Sequence, residues 1–162
     1  MKSGISLDSI KSPDEALEMS ACRNQVRTFM THNDAEILPE QQLEWYRDTY
    51  IPSHEAGELY GFVVRDGIDP IGYGLISLRD EKWWVSGGLI ADARGKGAGH
   101  FLFEQMTLIA HEDLHADEVW LDVLRGNERA INLYRKLGYV AVEDTADLLV
   151  MVHRWEEQEQ AA

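Results

Sequence analysis

A segment that reads as a buried strand ends at Leu89 and runs straight into Ala91-Asp92-Ala93-Arg94-Gly95-Lys96-Gly97-Ala98-Gly99, which opens a helix beginning His100-Phe101-Leu102-Phe103. No other stretch constrains the chain as much, because it sets a sheet strand, a tight turn and a helix in immediate succession. Gly95, Gly97 and Gly99 let the backbone fold sharply and approach a ligand closely, while the first turn of the helix leaves amide hydrogens without intrahelical partners. Such a helix start binds phosphate. Arg94 and Lys96 add cations to the positive end of the helix dipole, so the junction suits a diphosphate better than a single carboxylate. The loop lacks the Gly-Lys-Ser/Thr ending of a P-loop and does not match G-x-G-x-x-G, which leaves Arg94-x-x-Gly97-x-Gly99. Glycine-rich turns also serve as plain connectors, so the loop alone keeps both readings open.

A second segment narrows them. Glu118-Val119-Trp120-Leu121-Asp122-Val123-Leu124 reads as a strand, Arg125-Gly126 turns the chain, and Asn127 opens a helix. Arg94-x-x-Gly97-x-Gly99, followed by Asn127-x-x-Ala130-x-x-Leu133-Tyr134-x-Lys136-x-Gly138-Tyr139, resembles the two signature segments of the GCN5-related N-acetyltransferases (GNAT). The diagnostic residues lie between about 85 and 140, and the order of elements around them fits the same family.

Ile5-Ser6-Leu7-Asp8-Ser9-Ile10 alternates as a strand, and Ser12-Pro13-Asp14-Glu15 carries an N-cap serine, a first-turn proline and a glutamate three residues after the cap. A helix from there is expected to reach about Met30. Pro39 opens a second helix with Leu43, Tyr46 and Tyr50 on one face, followed by a loop through Pro52-Ser53-His54-Glu55-Ala56-Gly57. Strands are expected over 59–65, 71–78 and 83–90, with turns at Asp66-Gly67, Asp69-Pro70 and Arg79-Asp80-Glu81-Lys82. After the loop and its helix come a strand, the helix from Asn127, and two strands near 139–143 and 148–155. The order β-α-α-β-β-β-α-β-α-β-β predicts an α/β (α+β) fold. Its sheet is mixed and mostly antiparallel, strands 4 and 5 run parallel, and helices cover both faces.

The resemblance implies that strands 4 and 5 splay and that the pantetheine arm of acetyl-CoA enters between them. It assigns backbone contacts to Leu89, Ile90 and Ala91, and the diphosphate to Arg94, Gly95, Lys96, Gly97, Ala98 and Gly99. It also assigns a hydrogen bond to Asn127. Tyr134 follows Asn127 by two helical turns on one face, and Ala130 between them leaves room for the thioester arm. Aminolysis of a thioester needs a neutral amine, yet an alkylammonium of pKa about 10 is roughly 0.1% neutral at pH 7, a cost of about 4 kcal/mol. It also needs a proton or hydrogen bond for the leaving thiolate. Tyr134, with a reference pKa of about 10 against about 8.5 for a thiol, is the expected acid and catalytic residue. The base stays open among Asp122, Ser86, Glu81, Glu55 and His54. Trp83, Trp84 and Tyr73 are aromatic candidates for an acceptor pocket.

At 162 residues one domain over 1–156 is expected, with 157–162 a disordered tail. A single Cys22 forms no intrachain disulfide and reads as core, and the absence of an apolar run of signal or membrane-spanning length points to a cytoplasmic protein. The net charge of −14 disfavours nucleic acid and anionic membranes as partners, and makes the local cations Arg94, Lys96, Arg125 and Arg129 informative. The same field attracts a cationic amine.

Two competing readings remain. His111-Glu112-Asp113-Leu114-His115 satisfies H-E-x-x-H of zinc proteases, with Glu128 or His153 as third ligand only in an unrelated fold, so no metal is expected. A non-catalytic acyl-CoA sensor is the other, and an intact Tyr134 argues for chemistry. The expected activity is transfer of an acetyl group from acetyl-CoA to a primary amine of a small molecule. The stretch Cys22-Arg23-Asn24 to Trp45-Tyr46 is similar in layout to acetyltransferases of nucleotide-linked amino sugars, departing from them where a histidine is expected near Gln41 or Gln42. Protein N-termini or lysines are the alternative acceptors, and the resemblance also leaves a homodimer through the last strands open.

Overall fold

The computed structural model describes residues 4–27, 31 and 35–155. The elements are β1 (Ile5–Ser9), α1 (Pro13–Gln25), α2 (Pro39–Trp45) continuing through a π-turn over Tyr46–Tyr50 into α3 (Ile51–Glu55), β2 (Leu59–Asp66), β3 (Asp69–Arg79) and β4 (Lys82–Leu89). They continue with α4 (Ala98–Leu108), β5 (Glu118–Leu124), α5 (Glu128–Lys136), β6 (Val140–Asp144) and β7 (Leu148–Arg154). Seven strands form one sheet in the order β1-β2-β3-β4-β5-β7-β6. β4 and β5 pair in parallel, and the other neighbours pair antiparallel.

Alternation along the strands divides the core between two faces. Val63 and Tyr73 pack with Ile10, Ala16, Met19, Cys22 and Val26 under α1, whereas Phe62, Val64, Ile76 and Val85 pack with Leu102, Met106, Ile131 and Tyr134 under α4 and α5. Helices therefore cover both faces, as the order of elements predicts. Ser12 caps α1 by accepting from the Glu15 amide at 3.3 Å, and the Glu15 carboxylate accepts from the Lys11 amide at 2.6 Å. α1 ends at Gln25, short of the expected end near Met30, which lies outside the described residues, as does the expected tail over 157–162.

Two local expectations are corrected. The stretch from Pro52 is helical over Ile51–Glu55, because Pro52 occupies the first turn, where no amide donor is required. Leu43 is exposed, and of the expected apolar face only Tyr50 is buried, its hydroxyl accepting from the Gly61 amide at 3.0 Å. Cys22 is buried, and burial pushes its thiol up to about 11, which matches a core role.

What positions the site is the short contact between β4 and β5. They pair only at Trp83↔Val119 and Trp84↔Trp120. Beyond those rungs β4 stays hydrogen-bonded to β3 and β5 to β7, so the two strands diverge and a cleft opens in the middle of the sheet.

Candidate active site

The cleft widens into a cavity of about 1170 Å³. At one end lies the loop that the sequence singled out. Gly95 and Gly97 adopt φ of +79° and +84°, left-handed values that a side chain would strain, and Gly97 is the N-cap of α4 without a capping side chain. The first-turn amides of α4 therefore receive no side-chain cap and stand beside the cavity. A Cβ at Gly95 would meet nothing within 4 Å, so the groove over the loop is open to a bulky anion. The Arg94 Nε donates to the Leu89 carbonyl at 3.3 Å, which fixes the guanidinium across the strand end.

The expected ligand-contacting residues separate into two groups. Leu89, Arg94, Gly95, Gly97, Gly99, Asn127 and Tyr134 line the cavity, whereas Ile90, Ala91, Lys96 and Ala98 do not. The Ile90 amide donates to Ile71 O at 2.9 Å and its carbonyl accepts from Ala93, while Ala91 O accepts from Arg94. Because amides alternate along an antiparallel ladder and that of Ile90 points at β3, those of Gly87 and Leu89 point into the cleft. Gly87 was not legible beforehand, since register was needed to find it. The Lys96 side chain is exposed and Ala98 is buried in the core. Arg125 is ion-paired with Asp144, and Arg129 lines the cavity instead.

At the middle of the cavity stands Tyr134. Asn127 caps α5, its side-chain oxygen accepting from the Ala130 amide at 3.3 Å, so cap and tyrosine share the helix face turned to the cleft. The Tyr134 ring packs edge-on against Phe103 at 4.9 Å and tilts against Tyr139 at 6.1 Å. The Tyr139 hydroxyl is in turn 2.6 Å from Thr107 Oγ1, and Thr107 donates to Phe103 O. Burial pushes the Tyr134 hydroxyl far above the ordinary phenol range, and Tyr139, Tyr73 and the Asp122 carboxylate act in the same direction. The group is thus a neutral O–H donor at every physiological pH.

The other end is walled by α1, α2 and β3. Arg23 is buried there, its guanidinium donating to Asn24 Oδ1 and to Ala35 O, while Asn24 clamps Ile37 through two bonds of 2.9 Å. Gln42 is buried and donates to Ala16 O at 2.8 Å. Tyr73 lies on this wall, its hydroxyl pushed up to about 12 by burial although the Arg23 charge pulls it down. Of the residues considered as base, Asp122 and Ser86 line the cavity. His54 instead stacks on Tyr50 and bonds Leu59 O through Nδ1, Glu81 sits in the β3–β4 turn at φ +65°, and Glu55 is exposed at the end of α3. Trp83 packs into the core beside Tyr60, and Trp84 lies against Trp120 with Arg79 over its ring, so neither enters the cavity.

The H-E-x-x-H segment does not form the helical pair that a zinc site needs. α4 passes into a π-turn ending at Asp113, and His115 adopts φ +61°, so the two histidines are not one helical turn apart. His111 Nδ1 is held by Ala116 O at 2.8 Å, and its ring stacks on Trp155 at 3.9 Å.

Comparison with known proteins agrees with this arrangement. The family model of the acetyltransferase (GNAT) family matches residues 21–139, and the chain belongs to that family, whose members transfer acyl groups from acetyl-CoA. An N-alpha-acetyltransferase from Sulfurisphaera tokodaii is 28% identical over 109 residues, covering 64% of this chain and 63% of that protein. This chain thus spans under two thirds of that relative. Among solved structures, apo FdhC, a nucleotide-linked sugar GNAT, superposes with a TM-score of 0.76 at 17% identity, over 93% of this chain and 86% of its own. Spermidine N-acetyltransferase from Vibrio cholerae in complex with CoA and spermine superposes with a TM-score of 0.77 at 17% identity, over 94% and 96%. Likeness at that identity speaks to the fold.

Proposed function

We propose that the protein catalyses transfer of the acetyl group of acetyl-CoA to a primary amine of a small molecule, by direct attack within a ternary complex. The observation that carries this reading is one continuous cavity that joins an anion-binding loop, a sheet cleft, a neutral tyrosine hydroxyl and a polar far wall. The α4 amides, Gly95, Gly97, Gly99 and Arg94 hold the diphosphate. Leu89 and Gly87 offer backbone groups to the amide-bearing arm, and Asn127 binds it from α5. The thioester then lies beside Tyr134, whose hydroxyl donates to the sulfur as the C–S bond lengthens.

The far wall supports a small polar acceptor. Arg23, Gln41, Gln42, Tyr73 and Ser86 line a recess under α1 and α2, which suits a polyhydroxylated amine such as an amino sugar. The net charge of −14 favours arrival of a cation over arrival of nucleic acid or an anionic membrane. The N-alpha-acetyltransferase relative favours a second reading, in which the amine is a protein N-terminus. A cytoplasmic location and a homodimer through β6 complete the proposal. β6 is an edge strand whose Val140 and Val142 are exposed.

The test is release of free thiol from acetyl-CoA across amino-sugar nucleotides, polyamines, aminoglycosides, amino acids and short peptides with a free N-terminus. Turnover with an amino sugar supports the proposal, and turnover confined to peptides selects the second reading. Tight acetyl-CoA binding without thiol release from any amine would make the protein a sensor.

A further inference from the structure

The residues that touch Tyr134 are tied to one another by a closed circuit of bonds between α4 and the end of α5. The chain reverses at Gly138, with φ +104°, and the Tyr139 amide turns back to donate to the Tyr134 carbonyl at 3.0 Å. The Tyr139 hydroxyl reaches across to α4, where it lies 2.6 Å from Oγ1 of Thr107 in the last turn of that helix. Thr107 spends its one hydroxyl proton on the Phe103 carbonyl at 2.7 Å, so between the two hydroxyls Tyr139 is the donor. The Phe103 ring then meets the Tyr134 ring edge-on at 4.9 Å, and the Tyr139 ring tilts against it at 6.1 Å. All four residues are buried.

Cohesion of the core does not call for this hydroxyl pair. A valine and a phenylalanine fill the same places with no polar atoms to satisfy, and exchanging both partners of a bond for apolar groups of like shape is nearly neutral in stability. What the pair adds is direction. A phenyl ring in apolar contact can slide and tilt, whereas a hydrogen bond at the para oxygen fixes the far end of the ring against α4. Tyr139 is thus fastened twice, by its amide to the helix that carries Tyr134 and by its hydroxyl to the helix that carries Phe103. Phe103 and Tyr134 line the cavity, and Thr107 and Tyr139 stand behind them, off its wall.

We propose that Thr107 and Tyr139 are positioning residues for the acid: their hydroxyl bond locks α4 to the end of α5 and aims the Tyr134 hydroxyl at the thioester sulfur. This rests on the acetyltransferase reading of the cavity, in which the Tyr134 proton passes to the departing sulfur. The lock matters because an acid displaced by about 1 Å forfeits on the order of 10²-fold in rate.

Tyr139→Phe and Thr107→Val are nearly isosteric, and each removes the bond. With acetyl-CoA and spermidine, glucosamine or an alanyl peptide, whichever turns over, each is expected to slow single-turnover thiol release about 3- to 30-fold. The acetyl-CoA Kd should match wild type. The double variant should be no slower than either single one, because the same bond is lost in all three, and Thr107→Ser should restore the rate. The decisive comparison is made in a Tyr134→Phe background. There the acid is already gone, so Tyr139→Phe should cause no further loss, whereas general loosening of the core slows both backgrounds alike. An equal loss with and without Tyr134, a loss confined to acetyl-CoA Kd, or wild-type rates in the single variants or in Tyr134→Phe overturns the inference and leaves the acetyltransferase reading intact. Wild-type protein that binds acetyl-CoA yet acylates no amine removes both.

Discussion

Among the described residues the Tyr134 ring is held by ring contacts with Phe103 and Tyr139, so packing sets where its hydroxyl lies. Tyr139→Phe removes the bond to Thr107 but keeps the ring, and is expected to cost about 1 kcal/mol of stability, read as a lowered urea midpoint. Because burial raises the Tyr134 pKa, its neutral form persists well above pH 9, and no basic limb of the rate profile should trace to it. A limb between pH 7 and 9 that vanishes in Tyr134→Phe would contradict this. The H-E-x-x-H histidines are engaged elsewhere or badly oriented, so chelation by EDTA and His115→Ala should each leave thiol release unchanged. At this scale the sequence was most informative where a residue type is chemically demanded. Tyr134, Asn127 and the loop glycines do face one cavity, whereas Ile90, Ala91, Lys96 and Ala98, assigned through the family resemblance, are not on its wall.

Among the elements, the loop before α4 and the C-terminal histidine cluster carry separate predictions. Gly97→Ala forces a Cβ into φ +84° at the N-cap, about 1–2 kcal/mol of strain, and should weaken acetyl-CoA binding several-fold in titration calorimetry. His153 on β7 is lowered in pKa by burial and by His111, and its Nδ1 is buried without a partner among the described residues. Its depressed folded pKa means the unfolded chain binds the proton more readily. The stability it contributes is present above about pH 6.5 and is lost as pH falls through the folded pKa. The difference in unfolding free energy between wild type and His153→Phe, read from urea titrations, should therefore change below pH 6.5, by up to about 1.4 kcal/mol per pH unit, and be constant above pH 7.5. Element order was legible because hydrophobic period, caps and turn residues agree locally, as at Ser12-Pro13 and Asp66-Gly67. The α2–α3 continuation was not, because Pro52 signals a break by composition yet is tolerated in a first turn. Of the far wall, Tyr73 and the stretch carrying Arg23 and Gln42 were legible, whereas Thr31 was not, and that these residues meet the motif residues depends on tertiary packing.

For the whole molecule, the parting of β4 from β5 gives the fold its use. Two rungs hold the strands together at one end, and the unpaired remainder opens into the cavity, with the glycine loop at one end and the recess under α1 at the other. A ligand that bridges these parts stabilises the native state by mass action. Acetyl-CoA at a hundredfold excess over its Kd should add about 2.7 kcal/mol, and raise the Tm by roughly 5–11 °C. The central claim is that this cleft places the thioester at Tyr134. It is tested most directly by measuring acetyl-CoA affinity and single-turnover thiol release side by side for wild type and Tyr134→Phe. The account predicts an unchanged Kd with chemistry slowed about 10²- to 10⁴-fold. Equal single-turnover rates in the two proteins would contradict it.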